Sequence, residues 1–211
     1  MADCCCTPPP LNLNPRQQHA YRRVLWLVLA INATMFVVEA GAGLAAGSAS
    51  LQADALDFFG DGANHAISLA VVGMTLRYRA GAALLKGASM GLFGLWIVGT
   101  VVWHALHGTL PSAGTMSAVG FAALAANAAS FALLWSHRTG DANMRSAWIC
   151  TRNDVLGNVA VLLAAAGVFS TRSGWPDLSV AIAMATLALQ GATTVLRQAR
   201  NEWRMSEAPA E

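Results

Sequence analysis

Residues 54–65 read Asp54-Ala-Leu-Asp57-Phe-Phe-Gly-Asp61-Gly-Ala-Asn-His65 and place three acids and a histidine inside an otherwise apolar stretch. The four ionisable residues follow one another at steps of three, four and four. Because four residues advance an α-helix by about 400° and roughly 6 Å, these side chains form one polar stripe along a helix. Ionisable groups at membrane depth are costly to keep, so the stripe indicates a functional site.

A second apolar stretch repeats the four-residue spacing in Cys150-Thr-Arg-Asn-Asp154. Two helix faces of this kind, turned towards each other, would present four ligands. We predict a metal site built from three carboxylates and one thiolate, namely Asp57, Asp61, Cys150 and Asp154. A tetrahedral set of oxygen and sulfur ligands suits Zn²⁺, and Cd²⁺ as well. The metal is expected as transported cargo and no permanent cofactor is expected.

The composition indicates a membrane protein. Of 211 residues, 55% are hydrophobic and only 11% are charged, and the mean hydropathy is +0.48, which is too apolar for a soluble domain. We predict an all-α integral membrane protein, because six stretches approach the ~20 residues that cross a bilayer. The predicted spans are 24–46, 51–76, 84–103, 116–135, 147–169 and 178–196.

Basic residues set the predicted topology, because they resist translocation when they lie in short loops. With both termini cytoplasmic, eleven of the thirteen lysines and arginines fall on the inside. Only Arg172 falls in an outside loop, and Arg152 lies within the fifth span. The net charge of +2 therefore reflects topology, and no nucleic-acid partner is expected.

Pro176 and Asp177 suit the first turn of the sixth helix.

The predicted domain organisation is simple. Residues 1–19 form a disordered cytoplasmic tail with a run of cysteines, residues 20–200 form the six-helix transmembrane domain, and residues 201–211 form a short cytoplasmic tail. Residues 1–14 are polar and proline-rich, which is untypical of a cleavable signal peptide. We expect a multi-pass protein of a cell membrane, the bacterial inner membrane, surrounded by the lipid bilayer.

Two stretches carry a resemblance to the cation diffusion facilitator family: Ser48-Ala-Ser-Leu-Gln-Ala-Asp54-Ala-Leu-Asp57-Phe-Phe-Gly-Asp61 and Met144-Arg-Ser-Ala-Trp-Ile-Cys150-Thr-Arg-Asn-Asp154-Val-Leu-Gly-Asn158. The resemblance implies a six-helix transport domain whose second and fifth helices share the metal. Cys150 stands where that family most often has His or Asp. The resemblance also implies a homodimer. The chain is expected to be a short member without the family's cytoplasmic C-terminal domain, so membrane helices would have to form the dimer.

The predicted chemistry is proton-coupled exchange. Three carboxylates and a thiolate repel one another, so some of them stay protonated until a cation arrives. Metal entry then expels protons, and protons from outside weaken the hold on the metal. We therefore predict an antiporter that exports divalent transition-metal cations, Zn²⁺ first and Cd²⁺ next, by alternating access.

Other polar residues are predicted to have accessory roles. Along the membrane path, accessory metal ligands or proton relays are expected among Glu39, Asp54, His65 and Asn153. Near the outside end of the third span, His104 and His107 suit metal capture on exit, although solvated interfacial histidines are common. In the N-terminal tail, Cys4, Cys5 and Cys6 suit capture of soft metals in the reducing cytoplasm.

Three other functions are alternatives to transport. An intramembrane metalloenzyme would use zinc to activate water, but the sequence has no His-Glu-x-x-His or Gly-x-Ser-x-Gly segment. A non-transporting metal sensor or scaffold would leave the acidic stripe without a role. A passive channel would not support proton-dependent uptake against a gradient.

Overall fold

The computed structural model describes residues 15–70, 76–135 and 142–207. Within these ranges the chain forms six α-helices, which are α1 (Pro15–Ala46), α2 (Ala49–Ala70), α3 (Leu76–His107), α4 (Ala113–Trp135), α5 (Ala142–Thr171) and α6 (Trp175–Glu207). Several helices are longer than the apolar spans that predict them. In particular, α6 continues into the predicted tail at 201–211, and α1 begins inside the predicted tail at 1–19. Hydropathy detects only the lipid-embedded part of a helix, whereas the backbone hydrogen bonding continues beyond it.

Five helices contain segments long and apolar enough to cross a membrane: Arg22–Ala46, Ala80–His107, Ala113–Trp135, Asp154–Thr171 and Trp175–Arg204. The remaining helix, α2, has 22 residues, about 33 Å at 1.5 Å per residue, and carries three aspartates. Large apolar side chains point away from the helix bundle, with Leu92, Leu163 and Phe169 each at least 68% exposed. A lipid environment would cover such surfaces. The predicted all-α fold with six helices is confirmed.

Helix α2 lies at the centre of the bundle. It packs against α1, α3, α5 and α6, while the most extensive pairs are α3 with α6, α1 with α2, and α4 with α5. The largest apolar cluster joins the first turns of α2 to α3, α4, α5 and α6, and includes Leu51, Ile97, Met116 and Val161. The acidic stripe of α2 therefore runs through the protein interior.

Glycines allow α3 to approach α6 closely. A Cβ atom on Gly87 would lie 2.9 Å from the Leu196 Cγ atom, and one on Gly94 would lie 2.8 Å from the Leu189 Cδ2 atom. Neither distance is compatible with normal van der Waals contact, so the two helices can approach this closely only without side chains at these positions.

Replacing Gly87 or Gly94 with valine should therefore destabilise the α3–α6 contact. Overpacking costs about 1–3 kcal/mol, which lowers the melting temperature by roughly 3–10 °C for a chain of this size. Thermal unfolding in detergent would measure this. Gly99→Val is the matched control, because Gly99 is on the same helix and nothing lies within 4 Å of its added Cβ. An equal loss in all three variants would contradict the close-contact interpretation.

In the predicted topology the N-terminal ends of α2 and α6 face outside, and one buried carboxylate joins them. Asp177 Oδ1 accepts hydrogen bonds from the Ser48 hydroxyl (2.7 Å), the Ser50 amide (3.1 Å) and the Ser50 hydroxyl (2.6 Å). Its Oδ2 accepts from the Ala49 amide (2.8 Å). We call Ser48, Ala49, Ser50 and Asp177 the outer clamp. The predicted position of Asp177 in the first turn of α6 is confirmed, and the same side chain also caps α2.

Candidate metal site

The acidic stripe of α2 meets α5 at Asp154. The carboxyl group of Asp154 lies within hydrogen-bonding reach of the Asp61 carboxyl, and it interacts electrostatically with Asp57. Gly157 keeps this part of α5 without a side chain, since a Cβ there would lie 3.8 Å from Asp57 Oδ2. The structure thus brings Asp57, Asp61 and Asp154 to one interhelical region. Adjacent carboxylates repel one another unless a proton or a cation lies between them.

The predicted sulfur ligand lies outside this description. Cys150 and Asn153 lie on the backbone of α5, but their side chains fall outside the described residues, as do Cys4, Cys5 and Cys6. Among the side chains that the structure describes, no group of three or more His, Cys, Asp and Glu is arranged to hold a metal ion. The four-ligand set therefore stays a prediction.

A histidine and a lysine lie near the aspartates, on the side that the predicted topology places towards the cytoplasm. His65 is 5% exposed, and its Nε2 has no hydrogen-bond partner among the described residues. Both Asp61 and Lys86 interact electrostatically with it. Lys86 is 6% exposed and donates a hydrogen bond to Asn64 Oδ1. Sequence reasoning used Lys86 only as a topology marker, although a lone cation within an apolar span is itself a sign of a buried partner.

A chain of polar side chains lies on the outer side of the aspartates. Asn127 Nδ2 of α4 donates to Asn158 Oδ1 of α5 (2.9 Å), and Asn158 Nδ2 donates to Asp54 Oδ2 of α2 (2.7 Å). The carboxyl of Glu39 on α1 lies within hydrogen-bonding reach of Asp54. Sequence reasoning named both acids but neither asparagine. An amide inside an apolar helix was the available signal, because buried amides need partners.

The two histidines at the outer end of α3 are not joined to this region. The imidazole of His107 stacks on the Trp103 ring, with centroids 3.8 Å apart, and its Nδ1 lies 2.9 Å from the Trp103 carbonyl oxygen. His104 Nδ1 is buried without a hydrogen-bond partner among the described residues. The predicted exit role of these histidines stays untested.

Comparison with known families decides the assignment. A family model described as the cation efflux transmembrane domain matches residues 25–202, which reach from α1 to α6. The chain belongs to the cation efflux family. This confirms the resemblance that the α2 and α5 motifs carry. No curated protein matches this cation efflux protein.

Membership fixes the broad activity. Cation efflux proteins are transporters, so this chain is a multi-pass membrane protein that transports metal cations, and it is not an enzyme. Family membership therefore argues against the metalloenzyme alternative. Among the described side chains, the three aspartates between α2 and α5 offer oxygen donors of the kind that divalent cations accept.

Proposed function

We propose that this protein exports divalent transition-metal cations from the cytoplasm in exchange for protons. The single observation that carries the proposal is the meeting of Asp61 and Asp154, from two different helices, beside Asp57 in the interior of a membrane bundle. Three carboxylates placed this close together repel one another and destabilise the bundle, unless a proton or a cation lies between them.

The ligand chemistry supports Zn²⁺ first and Cd²⁺ next. Asp57, Asp61 and Asp154 offer hard oxygen donors, and Cys150, four residues before Asp154, would add a soft sulfur donor from the same helix. Zn²⁺ accepts both donor types in tetrahedral geometry, and the sulfur raises the relative affinity for Cd²⁺. The transported cation is substrate here and not a resident cofactor.

Proton coupling follows from the same acids. With the cation absent, a shared proton relieves the repulsion between Asp61 and Asp154, and an arriving cation takes its place. Alternating access would expose the site to either side in turn. The extensive packing of α3 on α6 suggests that this pair moves as one body relative to the other helices.

The test is metal uptake into proteoliposomes that carry an imposed pH gradient, with Zn²⁺, Cd²⁺, Co²⁺, Ni²⁺, Mn²⁺ and Fe²⁺ compared. We expect uphill uptake of Zn²⁺ and Cd²⁺ that stops when an ionophore dissipates the gradient. Flux that proceeds only downhill, with or without the pH gradient, would indicate a channel. Absence of metal-dependent flux would favour the sensor or scaffold alternative.

Replacing Cys150 with histidine should change metal preference. Imidazole is a harder ligand than thiolate, so we expect the Cd²⁺-to-Zn²⁺ uptake ratio to fall by about tenfold while Zn²⁺ uptake persists. Parallel uptake assays of both metals would measure the ratio. Cys150→Ser is the comparison variant, because it removes the sulfur without supplying an imidazole nitrogen. An unchanged ratio in Cys150→His would remove Cys150 from the ligand set.

The quaternary structure and the membrane of residence remain proposals. We propose a homodimer held by membrane helices, in the bacterial inner membrane. Light scattering of the detergent-solubilised protein, with the detergent contribution subtracted, would distinguish a dimer from a monomer. A monomer that still transports metal would show that the dimer is unnecessary for activity.

A further inference from the structure

Two buried acids, Glu39 and Asp54, are placed differently from the proposed metal ligands. Glu39 is 0% exposed on α1, and Asp54 is 1% exposed on α2. Asp54 lies five residues after the start of α2, whereas Asp61 lies twelve residues after it. At 1.5 Å per residue, Asp54 is about 10 Å closer to the outer end of α2 than Asp61 is. The two acids thus lie between the proposed metal site and the outside.

The hydrogen bonds around these acids show a shortage of donors. Asn127 donates to the carbonyl of Asn158, which orients the Asn158 amide so that it donates to Asp54. Neither oxygen of Glu39 accepts a hydrogen bond from any donor among the described side chains, although both are buried. Burying an ionised carboxylate without a donor is highly unfavourable.

One proton resolves this shortage. Two carboxyl groups within hydrogen-bonding reach can bond to each other only when one of them is protonated. Asp54 already accepts a hydrogen bond from Asn158, so a proton on Glu39 would be donated to Asp54. The side chains of α1 and α2, supported by asparagines of α4 and α5, thus offer one place for a shared proton.

Among the described residues, the charged groups that face this pair are acidic. Asp57 of α2 interacts electrostatically with both Glu39 and Asp54, and Asp154 of α5 interacts with Asp54. From α4 the facing group in the chain of hydrogen bonds is the neutral amide of Asn127. A divalent cation bound among the aspartates would cancel this repulsion and so weaken the hold on the proton. Loss of the cation would restore it.

We propose that Glu39 and Asp54 form a second cation-binding site, outward of the metal-binding aspartates, that holds a proton exchanged for the metal. This inference rests on the proposed antiport function and adds to it a proton carrier that is not a metal ligand. Protons entering from outside would reach this pair before they reach Asp61 and Asp154.

The experiment separates proton coupling from metal handling in proteoliposomes. Glu39→Gln keeps the shape of the side chain but cannot release a proton. We expect Zn²⁺/Zn²⁺ counterflow at equal pH to persist within about twofold, while uptake driven by a pH gradient falls at least about tenfold. In weakly buffered detergent, Zn²⁺ binding should release about one proton fewer per chain than in the wild type. Glu202→Gln, near the cytoplasmic end of α6, is the matched control.

A second variant guards against a folding defect. Asp54→Asn supplies the donor that Glu39 lacks, so Glu39 can stay ionised without a proton, and the same selective loss of gradient-driven uptake is expected. Gradient-driven uptake at the wild-type level in both variants would overturn the inference, and so would loss of counterflow in monodisperse protein. If the wild type itself shows no gradient-driven uptake, the proposed antiport function fails, and this inference fails with it.

Discussion

Asp154→Asn and Asp61→Asn should each abolish gradient-driven metal uptake, with a loss of at least about 100-fold, because each removes a charged oxygen ligand from the interior of the bundle. The variants should still fold. An asparagine at either position can donate a hydrogen bond to the carboxylate that remains opposite, since the Asp61 and Asp154 carboxyls lie within hydrogen-bonding reach.

Zn²⁺ binding and uptake, measured on the same preparations, would test this prediction. Size-exclusion profiles identical to the wild type would show that the loss is not one of folding. Glu202→Gln removes a negative charge near the cytoplasmic end of α6 and should leave uptake unchanged. Wild-type uptake by either aspartate variant would place the metal site elsewhere.

Asp177→Ala should destabilise the protein strongly. The aspartate is 1% exposed and accepts hydrogen bonds from two hydroxyls and two backbone amides of the outer clamp. Each buried donor left without a partner costs roughly 1–3 kcal/mol, so the total approaches the 5–15 kcal/mol by which domains are typically stable.

Detergent-solubilised yield and melting temperature would measure this loss. Asp177→Asn keeps one carbonyl acceptor and should fall between the wild type and Asp177→Ala. Ser179→Ala, two residues along α6, is the control, because the Ser179 hydroxyl bonds only to its own helix at the Trp175 carbonyl. An Asp177→Ala variant as stable as Ser179→Ala would contradict the role of the clamp.

The fold was predictable because a bilayer permits few structures. Backbone groups in lipid must be hydrogen-bonded within their own segment, so apolar stretches of about 20 residues are helices. The spacing of Asp57 and Asp61 predicted one helix face because the helical repeat is a local property. The ends of α3, α5 and α6 were less predictable, since nothing in hydropathy records where a helix continues into water.

Contacts between distant residues were not predictable. Asn158 and Asp54 are 104 residues apart in sequence, and Asp177 bonds to residues 127 to 129 positions away. Helical periodicity gives the face on which a side chain lies but not the helix that it meets. The sequence predicts Asp177 in the first turn of its own helix, which accounts for only part of its role. Lys86 counted in the prediction only as one of the basic residues on the inside, although it is buried against Asn64.

The outer clamp holds α6 at one end only, so a change in the tilt of α6 would displace its other end most. The fixed point is Asp177, in the first turn, and the rest of the helix, the arm, extends from there to Glu207. That arm is about 45 Å long at 1.5 Å per residue, so a tilt of about 10° about the clamp displaces the cytoplasmic end by roughly 8 Å. The same tilt hardly moves the residues beside Ser48 and Ser50. A small change of tilt at the outer clamp would therefore give a large displacement of α6 at the opposite membrane surface.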